Sequence, residues 1–365
     1  YFFTHKPPSA ISACLVGSEM CIRDRWLVMQ TQLLKRISEQ PCANFHWLEL
    51  VCKLQNSKIK KKIITLIGPT ACNKTSTAVH LIKKFQISII GVDSVQIYKR
   101  FNIGSAKPSQ EILGKYEHHL VDSAEPENIF SVKDFYDQAH RLVIQAHSNN
   151  RIPMLVGGTM MYFNALFKGL NDIPEGNEAI RNELQQELDT RGVDKLFNDL
   201  KKIDPESAKT IKENDKQRII RALEVFKISG KRISDFKKET IENIFEEFDF
   251  INIGIFPSDR EILQARIRER IVEMINIGLI KEVQEIIKLK NIPKNHPALN
   301  SINYKEAIQV INGELDVSEL EEKCVISTRQ LVKRQITWMR SFNFSKTFDI
   351  NSAVEIEKYL EEQIF

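Results

Sequence analysis

The fold of this chain is decided by the stretch Ile63-Ile64-Thr65-Leu66-Ile67-Gly68-Pro69-Thr70-Ala71-Cys72-Asn73-Lys74-Thr75. Its first five residues are aliphatic or β-branched and too few for a helix, which predicts a buried strand. After the loop, apolar residues recur at helical spacing at Ala78, Ile82 and Phe85, and residues 87–92 predict a second strand. Strand, loop, helix and strand together indicate a βαβ unit in a parallel sheet.

The loop over residues 68–75 has the form of a phosphate-binding loop, G-x-x-x-x-G-K-T, with one departure. In such a loop the backbone N–H groups and the helix N-terminus surround an anion. Lys74 adds positive charge, and the hydroxyl of Thr75 can bind Mg²⁺. The departure is Asn73, which stands where the pattern has its second glycine, and asparagine tolerates left-handed backbone angles better than most residues. We predict phosphate or diphosphate binding here, and the alternative is a loop with a purely structural role.

Further strand signals extend the sheet on both sides of one amphipathic helix. Leu120-Val121, residues 154–156 and residues 248–256 predict strands, and residues 132–146 predict the helix. The C-terminal part predicts helices over residues 260–290, 304–311 and 319–341. The expected fold class is α/β: a P-loop-type parallel sheet flanked by helices, with a helical insertion domain and C-terminal helices.

The domain organisation follows from where these signals start and stop. Residues 1–57 lack clear periodicity, and we expect a disordered or artefactual extension there. Residues 58–170 and 245–365 predict the catalytic core. Residues 171–244 lose strand signals and become helical and charged, which predicts a helical insertion domain.

Composition places few limits on function. A net charge of +4, from 52 basic and 48 acidic residues, does not by itself indicate a nucleic-acid partner. The six cysteines form no C-x-x-C pair, which argues against a disulfide framework or a zinc knuckle. With no apolar run of about 18 residues, a membrane span is not expected. We expect a cytoplasmic monomer without a membrane partner.

Asp93 is the first candidate for chemistry outside the loop. It follows the second predicted strand, and the carboxyl ends of parallel strands share the sheet edge where ligands collect. Two roles are open from position alone: a carboxylate on the magnesium side of a bound phosphate, or a general base for a nucleophile.

Six blocks of sequence, in one order, resemble the signatures of the tRNA dimethylallyltransferase family. The resemblance covers residues 62–342. The blocks are the loop, Asp93-Ser94-Val95-Gln96-Ile97-Tyr98, Asn102-Ile103-Gly104-Ser105-Ala106-Lys107-Pro108, Gly157-Gly158-Thr159-Met160-Met161-Tyr162-Phe163, residues 214–230 (NDKQRIIRALEVFKISG) and residues 328–340 (TRQLVKRQITWMR).

The resemblance implies a reaction. The loop would hold the diphosphate of dimethylallyl diphosphate as a leaving group, with Thr70, Lys74, Thr75 and Mg²⁺ neutralising its charge. Asp93 would accept the proton of the N6 amine of the adenosine 3′ of the anticodon. Arg221 would also meet the diphosphate.

The resemblance also implies contacts with the tRNA anticodon loop. The matching positions are Asp93, Ser94, Val95, Gln96, Thr159, Gln217, Arg218, Ile219, Ile220 and Arg221. Independently, residues 323–346 contain six basic and no acidic residues, an excess that suits an RNA backbone. Trp338 and Tyr304 are candidates for base stacking, and the alternative for both is a core position.

Two other functions stay open. A P-loop nucleotide or small-molecule kinase shares the loop and the carboxylate. A tRNA-binding protein with lapsed catalysis is the other alternative, because Asn73 departs from the loop pattern.

Overall fold

The computed structural model describes residues 60–238, 242–289, 291–293 and 296–364. The predicted N-terminal extension, residues 1–57, lies outside the described residues. Residues 61–365 form one compact unit.

Six parallel strands form one sheet in the order β3-β2-β4-β1-β5-β6. The strands are β1 (Lys61–Ile67), β2 (Ile87–Val92), β3 (His118–His119), β4 (Ile152–Gly157), β5 (Phe248–Ile255) and β6 (Lys346–Phe348). This order places β1 in the interior of the sheet, where both faces are covered. The continuous apolar run of its sequence predicted this position.

Helices connect and cover the strands. In the first half they are α1 (Lys74–Ile82), α2 (Gln110–Lys115), α3 (Val132–Ser148), α4 (Met160–Lys168), α5 (Glu178–Arg191), α6 (Val193–Ile203) and α7 (Pro205–Thr210). In the second half they are α8 (Lys216–Ser229), α9 (Ile233–Phe236), α10 (Arg260–Asn276), α11 (Leu279–Ile287), α12 (Tyr304–Ile311), α13 (Leu320–Met339) and α14 (Ala353–Ile364), with a 3₁₀ turn at Val317–Glu319. The predicted α/β class with a P-loop-type parallel sheet is confirmed.

The side chains of β1 show how the core is divided. Ile63 and Ile67 belong to one buried cluster, and Ile64 and Leu66 belong to another. Because successive side chains of a strand point to opposite faces, the two clusters lie on the two sides of the sheet. A third cluster is formed mainly by helices α5 to α9, within the region where the sequence predicts an insertion.

The register of the sheet brings the strand ends to one edge. Ile67 pairs with Gly157 of β4, and Val92 also pairs with Gly157. A Cβ added at Gly157 would lie 2.0 Å from the carbonyl oxygen of Val92, so only glycine permits this close approach. The residues that follow β1, β2 and β4 therefore start from a common edge.

Two predicted elements differ from the structure. The predicted strand at Leu120-Val121 is wrong: β3 consists of His118–His119, and Leu120 has a φ of 58°, which ends the extended backbone. The predicted single helix over residues 260–290 is broken at Gly278, whose φ of 109° is accessible mainly to glycine. Both breaks are local turns that apolar periodicity does not report.

Candidate active site

The loop over residues 68–75 connects β1 to α1, as predicted. Helix α1 begins at Lys74, and Asn73 precedes it with φ 56° and ψ 23°, in the left-handed region. Asn73 therefore adopts the backbone conformation for which the loop pattern has glycine. Its side-chain amide donates a hydrogen bond of 2.7 Å to the Oδ1 of Asn351. The departure in sequence leaves the loop conformation intact.

Lys74 is held inside the loop. Its Nζ donates to the carbonyl oxygen of Pro69 at 2.6 Å. Burial lowers the pKa of Lys74 to about 8. The ammonium is still mainly charged at neutral pH, so it can neutralise an anion bound in the loop.

A side chain from helix α13 links the loop to the end of the neighbouring strand β4. The Oε1 of Gln335, on α13, accepts the backbone N–H of Thr70 at 3.0 Å. The Nε2 of the same side chain donates to the carbonyl oxygen of Gly158 at 2.9 Å. Gln335 belongs to the sequence block over residues 328–340. Its two hydrogen bonds link the block over residues 68–75 to the block over residues 157–163.

Asp93 stands at the end of β2 in a fixed orientation. One carboxylate oxygen, Oδ1, accepts the backbone N–H groups of Val95 at 2.9 Å and Gln96 at 3.1 Å. These bonds form a local turn that fixes the carboxyl group without using its second oxygen. A carboxylate held in this way is suited to accept a proton from a substrate placed beside it.

The loop and Asp93 line one cavity of about 1050 Å³. Its volume lies just above the usual range for small-molecule sites, which suits a large substrate. Lining residues include Thr70, Ala71, Cys72, Asn73, Lys74, Thr75, Asp93, Val95, Gln96, Gly158, Arg266, Arg270, Thr328 and Gln335. The phosphate loop and Asp93 therefore lie together at the sheet edge where the sequence predicts that ligands collect.

A hydrogen-bond network supports the segment that contains Gly104, one of the residues that line the cavity. The carboxylate of Glu282, on α11, accepts the backbone N–H groups of Asn102, Ile103 and Gly104, at distances between 2.7 and 3.1 Å. It also accepts the hydroxyl of Tyr304 at 2.8 Å. Tyr304 is fully buried, which supports the core position and not base stacking.

Part of the predicted tRNA-contact set is accessible to solvent. Ser94, Gln217 and Arg218 are exposed. Thr159 lies beside the Asp93 turn, where its hydroxyl oxygen accepts the backbone N–H of Ser94 at 3.1 Å. Ile219 and Ile220 are buried in the helical cluster, so their side chains do not face solvent.

Arg221 is not brought to the phosphate loop. Its Nη1 pairs with the carboxylate of Glu224 at 2.8 Å, and its Nη2 donates to the carbonyl oxygen of Pro174 at 2.5 Å. The cavity that contains Lys74 and Asp93 is not lined by Arg221. Its role toward the diphosphate stays a prediction from family resemblance.

The basic run on α13 is exposed. Lys323, Arg329, Lys333, Arg334 and Arg340 all face solvent, and none forms an ion pair within the described part of the chain. By contrast, several cations of the insertion, such as Lys227 and Lys238, are paired with acids. Trp338 is 39% exposed on the same helix. Helix α13 is therefore the stronger candidate for an RNA-backbone contact.

A metal ion at this site would need ligands from the substrate in addition to those from the protein. No group of three or more His, Cys, Asp or Glu side chains that could hold a metal occurs in the described ranges. Thr75 and Asp93 nevertheless offer a hydroxyl and a carboxylate to the same cavity. Because Mg²⁺ uses few protein ligands together with substrate phosphates and waters, this donor set fits magnesium.

Several residues of the cavity were not singled out from the sequence. Arg266 and Arg270 are spaced four apart on a helix that carries many charges, which looks like a solvated face. Gln335 lies inside a quoted block, but its two partners are distant in sequence. Glu282 likewise acts on backbone groups more than 170 positions away, which local pattern cannot indicate.

Strand β1 leads into a phosphate loop, and a fixed carboxylate follows strand β2. This arrangement defines a P-loop-type protein that acts on a phosphorylated substrate. Residues 96–342 match the family model for IPP transferase. A tRNA dimethylallyltransferase of Vesicomyosocius okutanii is 42% identical over 291 residues, covering 79% of this chain and 93% of that relative. The chain therefore belongs to the tRNA dimethylallyltransferase family, as its six blocks predicted.

Solved structures agree with this assignment. A tRNA isopentenylpyrophosphate transferase of Bacillus halodurans has a TM-score of 0.60 and 33% identity, covering 83% of this chain and 97% of that chain. A eukaryotic dimethylallyltransferase solved while acting on tRNA has a TM-score of 0.66 and 22% identity, covering 83% of this chain and 77% of that chain. The second likeness supports the fold alone.

Within the part of the chain that the structure describes, no helix combines the length and the apolar character that crossing a bilayer requires.

Proposed function

We propose that this chain transfers the dimethylallyl group of dimethylallyl diphosphate to N6 of the adenosine immediately 3′ of the anticodon in tRNA, and releases diphosphate. The observation that carries the proposal is the cavity shared by the phosphate loop and Asp93. A kinase or a lapsed binding protein is not supported by the likenesses described above, which are all to prenyl-transferring enzymes of tRNA.

The bond changes assign work to each residue. N6 attacks C1 of the donor, the C1–O bond breaks, and its electron pair leaves with the diphosphate oxygen. The N6 proton passes to the carboxylate of Asp93. Lys74 and the loop N–H groups stabilise the growing negative charge on the diphosphate, and Thr70 and Thr75 face the same region. Mg²⁺ held by the Thr75 hydroxyl and the diphosphate would supply further positive charge.

The tRNA partner explains the size and the surroundings of the cavity. The target adenosine lies in a single-stranded loop, so moving it out of the stack costs little beyond unstacking. The exposed cations of α13 would bind the RNA backbone, and residues 93–96, Thr159 and residues 217–221 would contact the anticodon loop. We propose that the protein is a cytoplasmic monomer, in which one active site receives one anticodon loop.

One assay tests the proposal and separates it from the alternatives. The full chain is incubated with labelled dimethylallyl diphosphate, Mg²⁺ and unmodified tRNA, and the digested RNA is analysed for the N6-modified nucleoside. We expect product that disappears when EDTA removes the metal. ATP-dependent phosphorylation in place of prenyl transfer would indicate a kinase, and tRNA binding without product would indicate lapsed catalysis.

A substitution of Asp93 tests its role as the base. Asp93→Asn keeps an oxygen that can accept the Val95 and Gln96 N–H groups but removes the base. We expect the single-turnover rate to fall by about 10²- to 10⁴-fold with unchanged tRNA affinity. Asp172→Asn, at an exposed position, is the matched control and should transfer at the wild-type rate. An Asp93→Asn rate within a few-fold of wild type would exclude Asp93 as the base.

A further inference from the structure

One polar side chain of the cavity wall, on helix α13, is not used by the mechanism above. Thr328 lines the cavity and is 5% exposed. Its hydroxyl oxygen is buried and forms no hydrogen bond to any residue that the structure describes. Two other polar side chains that line the cavity are satisfied: the Oγ of Ser301 donates to the carbonyl oxygen of Ala298 at 2.6 Å, and both amide atoms of Gln335 are used. A buried hydroxyl without a partner is unfavourable, so a ligand that bonds to it would gain affinity.

Apolar side chains of two packed helices line the same cavity. Helix α10 contributes Ile271 and Met274, and α13 contributes Leu331. The two helices pack against each other. Leu331 lies three positions after Thr328 and four before Gln335, so these three side chains follow one face of α13. We expect the prenyl chain of the donor to lie along this wall, because its carbons are then removed from water.

The spacing along α13 fits the length of the donor. Gln335 contacts the backbone of Thr70 in the phosphate loop. Thr328 is seven positions earlier on the helix, which corresponds to about 10 Å at a rise of roughly 1.5 Å per residue. An extended donor has a similar length from its terminal phosphate to the far end of its five-carbon chain. With the diphosphate in the loop, the methyl end of the prenyl chain can therefore reach the level of Thr328.

We propose that the cavity also accepts a prenyl donor with a hydroxyl group on one of its terminal methyl carbons, and that Thr328 hydrogen-bonds this hydroxyl. The inference rests on the proposed function and names a second donor for the same site. The bond changes are the same: N6 attacks C1, the C1–O bond breaks, and the diphosphate leaves with its electron pair, while the terminal hydroxyl takes no part. A wall without a polar partner would leave the donor hydroxyl unpaired. The Thr328 hydroxyl can donate to it or accept from it.

A competition between the two donors measures this selectivity. The full chain is incubated with Mg²⁺, a limiting amount of unmodified tRNA, and equal, excess concentrations of dimethylallyl diphosphate and its terminally hydroxylated form. Mass spectrometry of the digested RNA separates the two modified nucleosides, which differ by one oxygen atom. Their ratio gives the ratio of kcat/KM for the two donors and does not depend on the fraction of enzyme that is folded. We expect the wild type to transfer both groups, with kcat/KM values within about tenfold of each other, because the hydroxyl exchanges water for a protein partner.

Substitutions of Thr328 separate the hydroxyl from the rest of the side chain. Thr328→Val removes the hydroxyl and keeps the branched shape. We expect the yield of hydroxylated product relative to dimethylallyl product to fall by about five- to thirtyfold, the range for a buried hydroxyl that loses its partner. Thr328→Ser retains a hydroxyl and should keep a ratio close to that of the wild type. Thr347→Val, at an exposed position of β6, is the matched control and should give the wild-type ratio.

The outcomes of this test are distinct from those of the proposed function. A product ratio that is the same in Thr328→Val and the wild type would overturn the inference, and so would a wild type that transfers only the dimethylallyl group. An unchanged ratio with a higher KM for tRNA would assign the Thr328 hydroxyl to the RNA instead. If thermal unfolding shows that Thr328→Val does not fold, Thr328→Ala replaces it with the same expectation. A wild-type chain that modifies tRNA with neither donor contradicts the proposed function itself.

Discussion

Gln335 accepts the backbone N–H of Thr70, so helix α13 holds one end of the phosphate loop in place. The same side chain donates to the carbonyl oxygen of Gly158 and is 7% exposed. Loop and helix are separated by 265 positions in sequence. The anion site is therefore built from segments that are distant in sequence.

We expect Gln335→Met to lower both stability and activity. The substitution leaves the Thr70 N–H and the Gly158 carbonyl buried without partners, which costs roughly 1–3 kcal/mol each at most. Denaturant unfolding measures the first effect, and the KM for dimethylallyl diphosphate measures the displaced loop. Gln330→Met, at an exposed position on α13, is the control and should change neither quantity. If Gln335→Met keeps the wild-type KM, the hydrogen bonds of Gln335 do not influence binding of the donor.

Substitutions of Asn73 should follow backbone conformation and not side-chain size. The φ of 56° is accessible to glycine but costs a β-branched residue about 1–2 kcal/mol or more. Asn73→Val should therefore unfold at a lower denaturant concentration and bind diphosphate more weakly. Asn73→Gly loses only the bond to Asn351 and should bind diphosphate within about threefold of wild type, a change below 1 kcal/mol. Equal losses in the two variants would show that the side chain matters more than the backbone.

The parts of this site that the sequence predicts are those written in consecutive residues. The apolar run before Gly68 predicts an interior strand, and Lys74-Thr75 predict an anion site at the start of a helix. Asp93 is placed correctly because strand ends meet at one edge of a parallel sheet. Each of these inferences needs only local pattern and one rule of topology.

The parts that the sequence does not predict are contacts between distant segments. Arg270 is four residues from Arg266 and reaches Ala106, which no local pattern links to α10. Gln335 is an ordinary polar residue until its two backbone partners are known. The short strand His118–His119 was misplaced, because two residues are too few for a periodic signal.

Arg221 provides a test between a structural role and the role that family resemblance implies. The fully buried carboxylate of Glu224 pairs with Arg221 and with Arg181, and it also accepts the backbone N–H of Asn177. Arg181→Ala and Arg221→Ala each remove one partner of that carboxylate. We expect similar losses of stability, about 1–3 kcal/mol, because the remaining partners still satisfy it.

If Arg221 contacts the diphosphate, as the family resemblance implies, only Arg221→Ala raises the KM for dimethylallyl diphosphate, by roughly tenfold for a lost charge-assisted contact of about 1.4 kcal/mol. Steady-state kinetics at saturating tRNA measure this effect, and Arg181→Ala serves as the control of equal structural cost. Identical donor KM values in the two variants would leave Arg221 with its structural role alone.

Glu282 and Tyr304 should be energetically coupled. The carboxylate accepts the tyrosine hydroxyl and the backbone N–H groups of Asn102, Ile103 and Gly104, so Glu282→Gln and Tyr304→Phe both weaken one network. We expect each single variant to lose about 1–3 kcal/mol of unfolding free energy and the double variant to lose less than the sum, by roughly 0.5–3 kcal/mol. Denaturant unfolding of all four proteins measures the coupling. Strict additivity would mean that the two groups stabilise the wall separately.

His296 should make part of the stability of the chain dependent on pH. The ring is fully buried against Tyr98, with centroids 4.6 Å apart, and against Phe101. Its Nδ1 accepts the backbone N–H of Ala298 at 3.2 Å, which requires that nitrogen to be unprotonated. Burial lowers the pKa of His296 below its ordinary value of 6.5.

The sign of the effect follows from where the proton binds. Below about pH 6.5 the unfolded chain takes up a proton that the folded protein does not. The free energy of unfolding should therefore decrease as the pH is lowered below about 6.5, by up to about 1.4 kcal/mol per pH unit. This decrease ends when the pH reaches the lower pKa that His296 has in the folded protein. Denaturant unfolding of wild type and His296→Asn between pH 5 and 7.5 checks this. His118 and His147, whose pKa values burial also lowers, would supply the slope that remains in the variant. If His296→Asn is as sensitive to acid as the wild type, the buried imidazole is not the group that titrates.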